Sequence, residues 1–198
     1  MSARHLVLDL GGVLFRFDHA RRLDRLAAEL ALPRERVDAL LWKSGFSADC
    51  DTGRYADAAQ VRARIRELTG FAGGDERLDA AWCSAFRPDP RVYEILQPHR
   101  GSRPFALFTN NGPLEEEALP RRYPAAFEGF GQLLFSHRLG RRKPDPAAFG
   151  AALRRLGAEP GEVLFLDDSA ANVDAARRLG WTAFRFRGPD DLARALRS

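Results

Sequence analysis

From Pro90 onward, short apolar runs alternate with stretches of helical periodicity, and no other feature limits so strongly what this chain can fold into. The runs PFALF (104–108), GQLLFS (131–136), VLFLD (163–167) and TAFRF (182–186) read as strands. Helices are expected at about 90–98, 146–156 and 170–179. Alternation of this kind implies a parallel sheet wrapped by helices, because parallel strands need a crossover between them. A further strand is expected at residues 5–10, within LVLDLGGVL (6–14).

Residues 19–86 have a different character, with apolar side chains at helical spacing. Leu23, Leu26, Ala27 and Leu30 form one stripe, and Val37, Leu40 and Leu41 a second. Ala58, Val61, Ile65 and Leu68 form a third, and Leu78, Trp82 and Phe86 a fourth. Asp18 suits an N-cap for the first helix and Pro33 separates it from the second; Gly70, Gly73 and Gly74 part the last two. The sheet thus receives one strand, then a helical insertion, then its remaining strands. The expected division is a core of residues 1–15 and 88–198 and a helical cap of residues 16–87.

Composition narrows the class. A length of 198 residues with 45% hydrophobic and 29% charged residues describes a globular chain able to bury a substantial core. No apolar run reaches the ~20 residues of a membrane span, and MSARHLVLDL lacks the apolar core of a signal peptide. Cys50 and Cys83 are too few for a disulfide framework, which fits free thiols in the cytoplasm. Of 31 basic residues, only Lys43 and Lys143 are lysine. The arginines are interleaved with acids as on solvated helix faces, so neither nucleic acid nor membrane is expected as a partner.

Four segments stand at the ends of expected strands, where open α/β sheets bind ligands. They are Asp9-Leu10-Gly11-Gly12, Thr109-Asn110-Asn111, Lys143-Pro144 in the loop LGRRKPDP (139–146), and Asp167-Asp168. Two adjacent carboxylates in a low-dielectric crevice repel, so a cation is expected beside them. Hard oxygen ligands with room for water and phosphate favour Mg²⁺, with Asp9 as a third carboxylate. Thr109 offers a hydroxyl to a phosphate oxygen, and Lys143 a point charge that neutralises phosphate and carboxylates together. Taken alone, Asp168 also reads as an N-cap for the helix at 170–179, and Asn172 as either a loop-orienting amide or a surface residue.

The ordered set Asp9, Thr109, Lys143, Asp167-Asp168 resembles the four motifs of the haloacid dehalogenase superfamily, over residues 5 to about 190. DLGGV, TNN, LGRRKPDP and FLDDSAANVDAARRLG look most like the α-D-glucose-1-phosphate phosphatase branch, and are similar to the N-terminal phosphatase domain of soluble epoxide hydrolase. The resemblance implies an α/β fold: a Rossmann-like parallel sheet with helices on both faces and an inserted α-helical cap of the C1 type. It implies a Mg²⁺-dependent phosphomonoester hydrolase acting on a small phosphorylated metabolite, a sugar phosphate first. Asp9 would be the catalytic nucleophile, giving an aspartyl-phosphate. Leu10, Thr109, Asn110 and Lys143 would hold the phosphoryl group. Asp9, the Gly11 carbonyl, Asp168 and, through water, Asp167 would hold Mg²⁺.

One departure matters. Most phosphatases of the superfamily have a second aspartate two positions after the nucleophile, and this chain has Gly11. The backbone carbonyl survives, but a positioned acid–base group contributing ~10²–10⁴-fold is missing. Either the leaving group needs little protonation, or another residue supplies the proton; Asp18 and His19, past an expected hairpin at VLFRF (13–17), are candidates. Two alternatives remain open: a metal-free 2-haloacid dehalogenase, and a degenerate binding protein. Trp42, Phe46 and Asp51, in an expected loop at 42–55, are candidate specificity residues. Nothing in the sequence reports the oligomeric state.

Overall fold

The computed structural model describes residues 4–197; residues 1–3 and 198, included in the expected core, lie outside the described residues. Strand β1 (His5–Leu8) leads into β2 (Phe15–Phe17), and five helices follow: α1 (His19–Leu30), α2 (Arg34–Asp38), α3 (Phe46–Asp51), α4 (Ala58–Thr69) and α5 (Asp75–Trp82). Strand β3 (Phe86–Pro88) and α6 (Pro90–Leu96) return the chain to β4 (Phe105–Thr109). Next come α7 (Pro113–Arg122), α8 (Pro124–Phe127), β5 (Phe130–Phe135), α9 (Ser136–Leu139) and α10 (Pro146–Leu156). The chain closes with β6 (Val163–Asp167), α11 (Ala170–Arg178), β7 (Thr182–Arg185) and α12 (Pro189–Ala195).

Five strands form a sheet in the order β5-β4-β1-β6-β7, and every pairing is parallel. This is the expected Rossmann-like α/β sheet, and β1, first in sequence, lies at its centre. The interior strands β4 and β6 are buried at every residue, the reason they read as unbroken apolar runs. Two apolar layers cover the sheet. One face packs Val7, Phe108 and Phe165 against Phe149 of α10, Ala176 of α11 and Trp181. The other packs Leu6, Leu8, Leu107 and Leu166 against a larger cluster that runs on into the helices of 19–85.

That helical segment departs from the sheet on a ribbon. Strands β2 and β3 pair antiparallel, with Phe15 opposite Pro88 and Phe17 opposite Phe86. The expected hairpin at 13–17 is therefore corrected: the partner of β2 lies some 70 residues away, because the ribbon is the entry and exit of the insertion. Phe86, placed at the end of a helical stripe by its spacing, is a strand residue for the same reason. The helix it seemed to continue ends at Trp82, and Asp89, N-cap of α6, fixes the ribbon by an ion pair with Arg16 at 2.8 Å. Asp18 caps α1 as its type suggests, accepting from the Arg21 N–H at 2.9 Å. The expected loop at 42–55 contains α3, and a π-helical turn, Ala39–Lys43, precedes it.

No helix among the described residues is long and apolar enough to cross a membrane. The sheet's rigidity rests on Phe165, fully buried and in ring contact with Phe108 (6.0 Å), Phe149 (6.0 Å) and Trp181 (5.6 Å). Phe165→Ala is expected to lower unfolding stability by about 3–5 kcal/mol in a denaturant titration, since the cavity it opens has rigid walls.

Candidate active site

Strands β1, β4 and β6 are adjacent and parallel, so their C-terminal ends lie side by side. Those ends carry Asp9, Thr109 and Asp167. Lys143 arrives from the loop between α9 and α10 and is 4% exposed. Its ammonium donates to Asp167 Oδ2 at 2.6 Å and to the Phe108 carbonyl at 2.6 Å, and lies 3.1 Å from Asp9 Oδ1. Burial alone would lower the lysine's pKa, but Asp9 and Asp167 outweigh it and hold Lys143 above its ordinary value. Burial pushes Asp9 up to about 7 against the pull of the same lysine.

The two neighbouring aspartates are not equivalent. Asp167 is fully buried and its carboxylate is engaged by four donor contacts. Lys143 supplies one, the Ser169 N–H another at 2.8 Å, and Asn172 Nδ2 reaches both oxygens at 3.0 Å. Asp168 is exposed and turned toward the cleft. It is not the N-cap of α11; Ser169 is, accepting from the Asn172 N–H. Asn172, open to two readings from sequence, is buried and orients Asp167.

Asp9, Asp167 and Asp168 each bring a carboxylate oxygen within 4.8 Å of the others. Three carboxylates face one ammonium, so the set carries excess negative charge and consists of hard oxygen donors. It fits a small divalent cation such as Mg²⁺. Gly12, at φ +82°, lets Asp168 lie against the turn: a Cβ on Gly12 would fall on the Asp168 carboxylate.

Thr109 is buried at the strand end, and its Oγ1 accepts from Asn111 Nδ2 at 2.6 Å, which leaves the hydroxyl proton free to donate. Asn110 spends its amide on the Lys143 backbone, donating to the carbonyl at 2.8 Å and accepting from the N–H at 2.9 Å. Its side chain thus fixes the lysine loop. The Leu10 N–H donates to Asp9 Oδ1 at 2.7 Å. Sequence reasoning gave no role to Asn111, Phe17 or Phe86, yet all three line the cleft with Asp9, Gly11, Thr109, Asn110 and Asp168, around a volume of about 230 Å³. For Phe86 a signal existed, since FRPDP (86–90) joins a strand-forming residue to a helix cap.

A Cβ on Gly11 would lie 3.3 Å from Phe86 and 3.4 Å from Phe17, so aromatic edges fill the surroundings of position 11. Neither proposed proton donor takes that role simply. Asp18 is committed to its cap. His19 packs against Trp42 at 4.7 Å and over Phe17 at 6.5 Å, and burial, reinforced by Arg22, lowers its pKa. Of the candidate specificity residues, Phe46 is core, packed on Tyr55 and Trp82, and Trp42 stacks on Trp82 at 5.2 Å. Asp51 closes α3 beside the cleft: its carbonyl accepts from Ser136 Oγ, and its carboxylate lies 3.7 Å from Arg142, next to Lys143.

A parallel sheet that gathers three carboxylates, a lysine and a threonine beside the C-terminal ends of its strands defines a class of hydrolase, and comparison with known proteins agrees. The family model for haloacid dehalogenase-like hydrolases matches residues 3–180. The chain belongs to that family. It is 30% identical to a phosphatase of Mycobacterium tuberculosis over 93% of this chain and 87% of the relative. It is 24% identical to a D-ribitol-5-phosphate phosphatase of Bacteroides thetaiotaomicron over 92% of this chain and 91% of that one. A solved enzyme of the same superfamily from B. thetaiotaomicron superposes with a TM-score of 0.80 at 25% identity, covering both chains fully. A complex of that enzyme with magnesium and inorganic phosphate superposes at 0.74, again at 25% identity, over 93% of this chain and 94% of that one. The chain is therefore an enzyme, a hydrolase, and the two curated relatives named above are phosphatases.

Asp51 gives this region a measurable signature. Burial, then Glu115, pushes its carboxyl from 3.8 to about 8, against the opposing pull of Arg142 and Arg22. Folding thus favours the protonated form, so the group's contribution is complete below about pH 4 and lost as pH rises through about 8. Asp51→Asn, neutral throughout, is expected to gain stability on the wild type steadily from about pH 5 to 8 in urea unfolding. Parallel stability curves for the two proteins would refute this assignment.

Proposed function

We propose that this chain is a Mg²⁺-dependent phosphomonoester hydrolase of small phosphorylated metabolites, sugar phosphates first, working through an aspartyl-phosphate on Asp9. The observation that carries the reading is the convergence of Asp9, Asp167 and Asp168 on one point, with Lys143 and Thr109 beside them. In this reading residues 16–87 act as a cap over a core formed by 1–15 and 88–198. Asp9, Asp168, the Gly11 carbonyl and, through water, Asp167 hold the metal. Bound there, Mg²⁺ neutralises phosphate oxygens and the carboxylates around them.

The chain's own residues supply the remaining chemistry. A carboxylate oxygen of Asp9 attacks phosphorus in line; the bond from phosphorus to the ester oxygen breaks, its electron pair stays on that oxygen, and the departing oxyanion takes its proton from water. Lys143 and the Thr109 hydroxyl hold the equatorial phosphoryl oxygens as charge redistributes, while the Leu10 N–H, given to Asp9 Oδ1, orients the attacking carboxylate instead. Asn110 and Asn172 act indirectly, the first by fixing the Lys143 loop and the second by orienting Asp167. Water then attacks the aspartyl-phosphate, releasing inorganic phosphate and restoring Asp9.

Gly11 shapes the substrate range. It retains the carbonyl and removes the proton donor, and the rings of Phe17 and Phe86 leave an apolar wall in its place. Esters whose leaving group needs little protonation, such as anomeric or acyl phosphates, are therefore favoured. The dehalogenase reading has support at the level of fold, with a TM-score of 0.68 at 18% identity to an L-2-haloacid dehalogenase. A metal-free site has no use for three convergent carboxylates.

The test is p-nitrophenyl phosphate hydrolysis with Mg²⁺. Asp9→Asn is expected to lower kcat by ~10³-fold or more, as loss of a covalent nucleophile does. EDTA is expected to abolish turnover and added Mg²⁺ to restore it. Turnover that survives both treatments would overturn the proposal.

A further inference from the structure

Arg22, in the first turn of α1, is 4% exposed and belongs to no part of the catalytic cluster. Four aromatic rings enclose its guanidinium, with Cζ at 5.2 Å from the centroids of Phe17 and Phe86, 5.5 Å from Trp82 and 5.6 Å from Trp42. Ring faces balance the charge but accept no directional hydrogen bond. Nε and Nη2 are buried without a hydrogen-bond partner among the described residues. The neighbouring carboxylate oxygen, Glu115 Oε1, is 3.7 Å from Nη2 and already accepts from Trp82 Nε1 at 2.7 Å. Buried donors left in this state are costly, so an acceptor is missing from the picture.

The orphaned pair is informative in itself. Nε–H and Nη2–H form the side-on fork of a guanidinium, two near-parallel donors spaced for two oxygen acceptors. A carboxylate, a phosphate or a pair of neighbouring hydroxyls meets that spacing. The Glu115 carboxylate already stands 3.7 Å from Nη2, so the position has its anionic neighbour and a second anion would be repelled. Neutral hydroxyls are not, and the surrounding ring faces suit the C–H surface of a carbohydrate or polyol. The position also adjoins the cleft: Phe17 and Phe86 contact Gly11 on one side and Arg22 on the other. Phe17 is 45% exposed, so the cage around the guanidinium meets solvent at that ring.

We infer that Arg22 is a specificity-determining residue whose Nε–Nη2 edge takes two neighbouring hydroxyl oxygens of a polyol or sugar leaving group, reached past Phe17. The inference rests on the phosphatase reading above, so p-nitrophenyl phosphate serves as an internal standard that reports that reading separately. With Mg²⁺ present, the wild type is expected to favour sorbitol 6-phosphate over n-hexyl phosphate in kcat/KM by about tenfold or more, because only the former offers hydroxyl pairs. Arg22→Lys keeps a cation under the rings and loses the fork; it is expected to erase most of that preference through KM. Arg22→Met, which fills the volume without charge, is expected to do the same.

Equal kcat/KM for the two esters in the wild type would overturn the inference without any variant having to fold. So would a preference that persists in either folded variant. In both cases Asp9-dependent turnover of p-nitrophenyl phosphate leaves the phosphatase reading standing. Turnover of p-nitrophenyl phosphate alone would overturn the inference, and no turnover of any of the three esters would sink both.

Discussion

The buried ammonium of Lys143 is the interaction on which the arrangement depends. It binds Asp167 and the Phe108 carbonyl and stands beside Asp9, so one side chain ties together the ends of β1, β4 and β6. Taking these charges out of water is expensive, and only mutual proximity and full hydrogen bonding offset it. The same lysine is fixed at its backbone by Asn110, which comes from the end of β4. Position and charge are thus set by one closed loop of contacts. Three carboxylates around a single ammonium still leave negative charge unbalanced, which suits the cleft to a small divalent cation.

Above this centre the environment changes abruptly from charged to aromatic. Gly11 presents no side chain, and the rings of Phe17 and Phe86 close around it. Both rings belong to the two-stranded ribbon that carries the helical segment away from the sheet. The path by which the insertion leaves the core is therefore also the wall of the cleft. On the far side of that wall lie Arg22, Trp42 and Trp82, so the packing of the insertion and the surroundings of Asp9 share the same side chains.

Much of the core was legible in the sequence. Val163–Asp167 and Pro146–Leu156 coincide with their expected bounds, since a strand buried on both faces must be apolar throughout and a helix beginning at Pro146 declares its own start. Asp9, Thr109, Asp167 and Asp168 stood out because each ends or follows an apolar run that cannot hold it, and Lys143 because it is one of only two lysines among 31 basic residues. Less was legible where meaning depends on a distant partner. Phe86 continued a helical stripe, yet it stands opposite Phe17 in the β2–β3 ribbon. Asn172 was equally suited to surface or interior until Asp167 was seen beneath it. Asp168 had the residue type of an N-cap, but Ser169 takes that place one position later.

By itself, the sequence determined the parallel sheet, the site of the insertion and the residue types available at each strand end, because burial on two faces and helical periodicity are written locally. Only the tertiary structure decided what those residues are to one another. It made Lys143 the counter-ion of Asp9 and Asp167, turned Asp168 outward while Asp167 was sealed in, and set Phe17, Phe86 and Arg22 around the space that Gly11 leaves open. The reason is physical: desolvation, hydrogen bonding and ring packing depend on distances in space, and separation along the chain, 24 residues from Lys143 to Asp167 and far more from Lys143 to Asp9, carries no record of them.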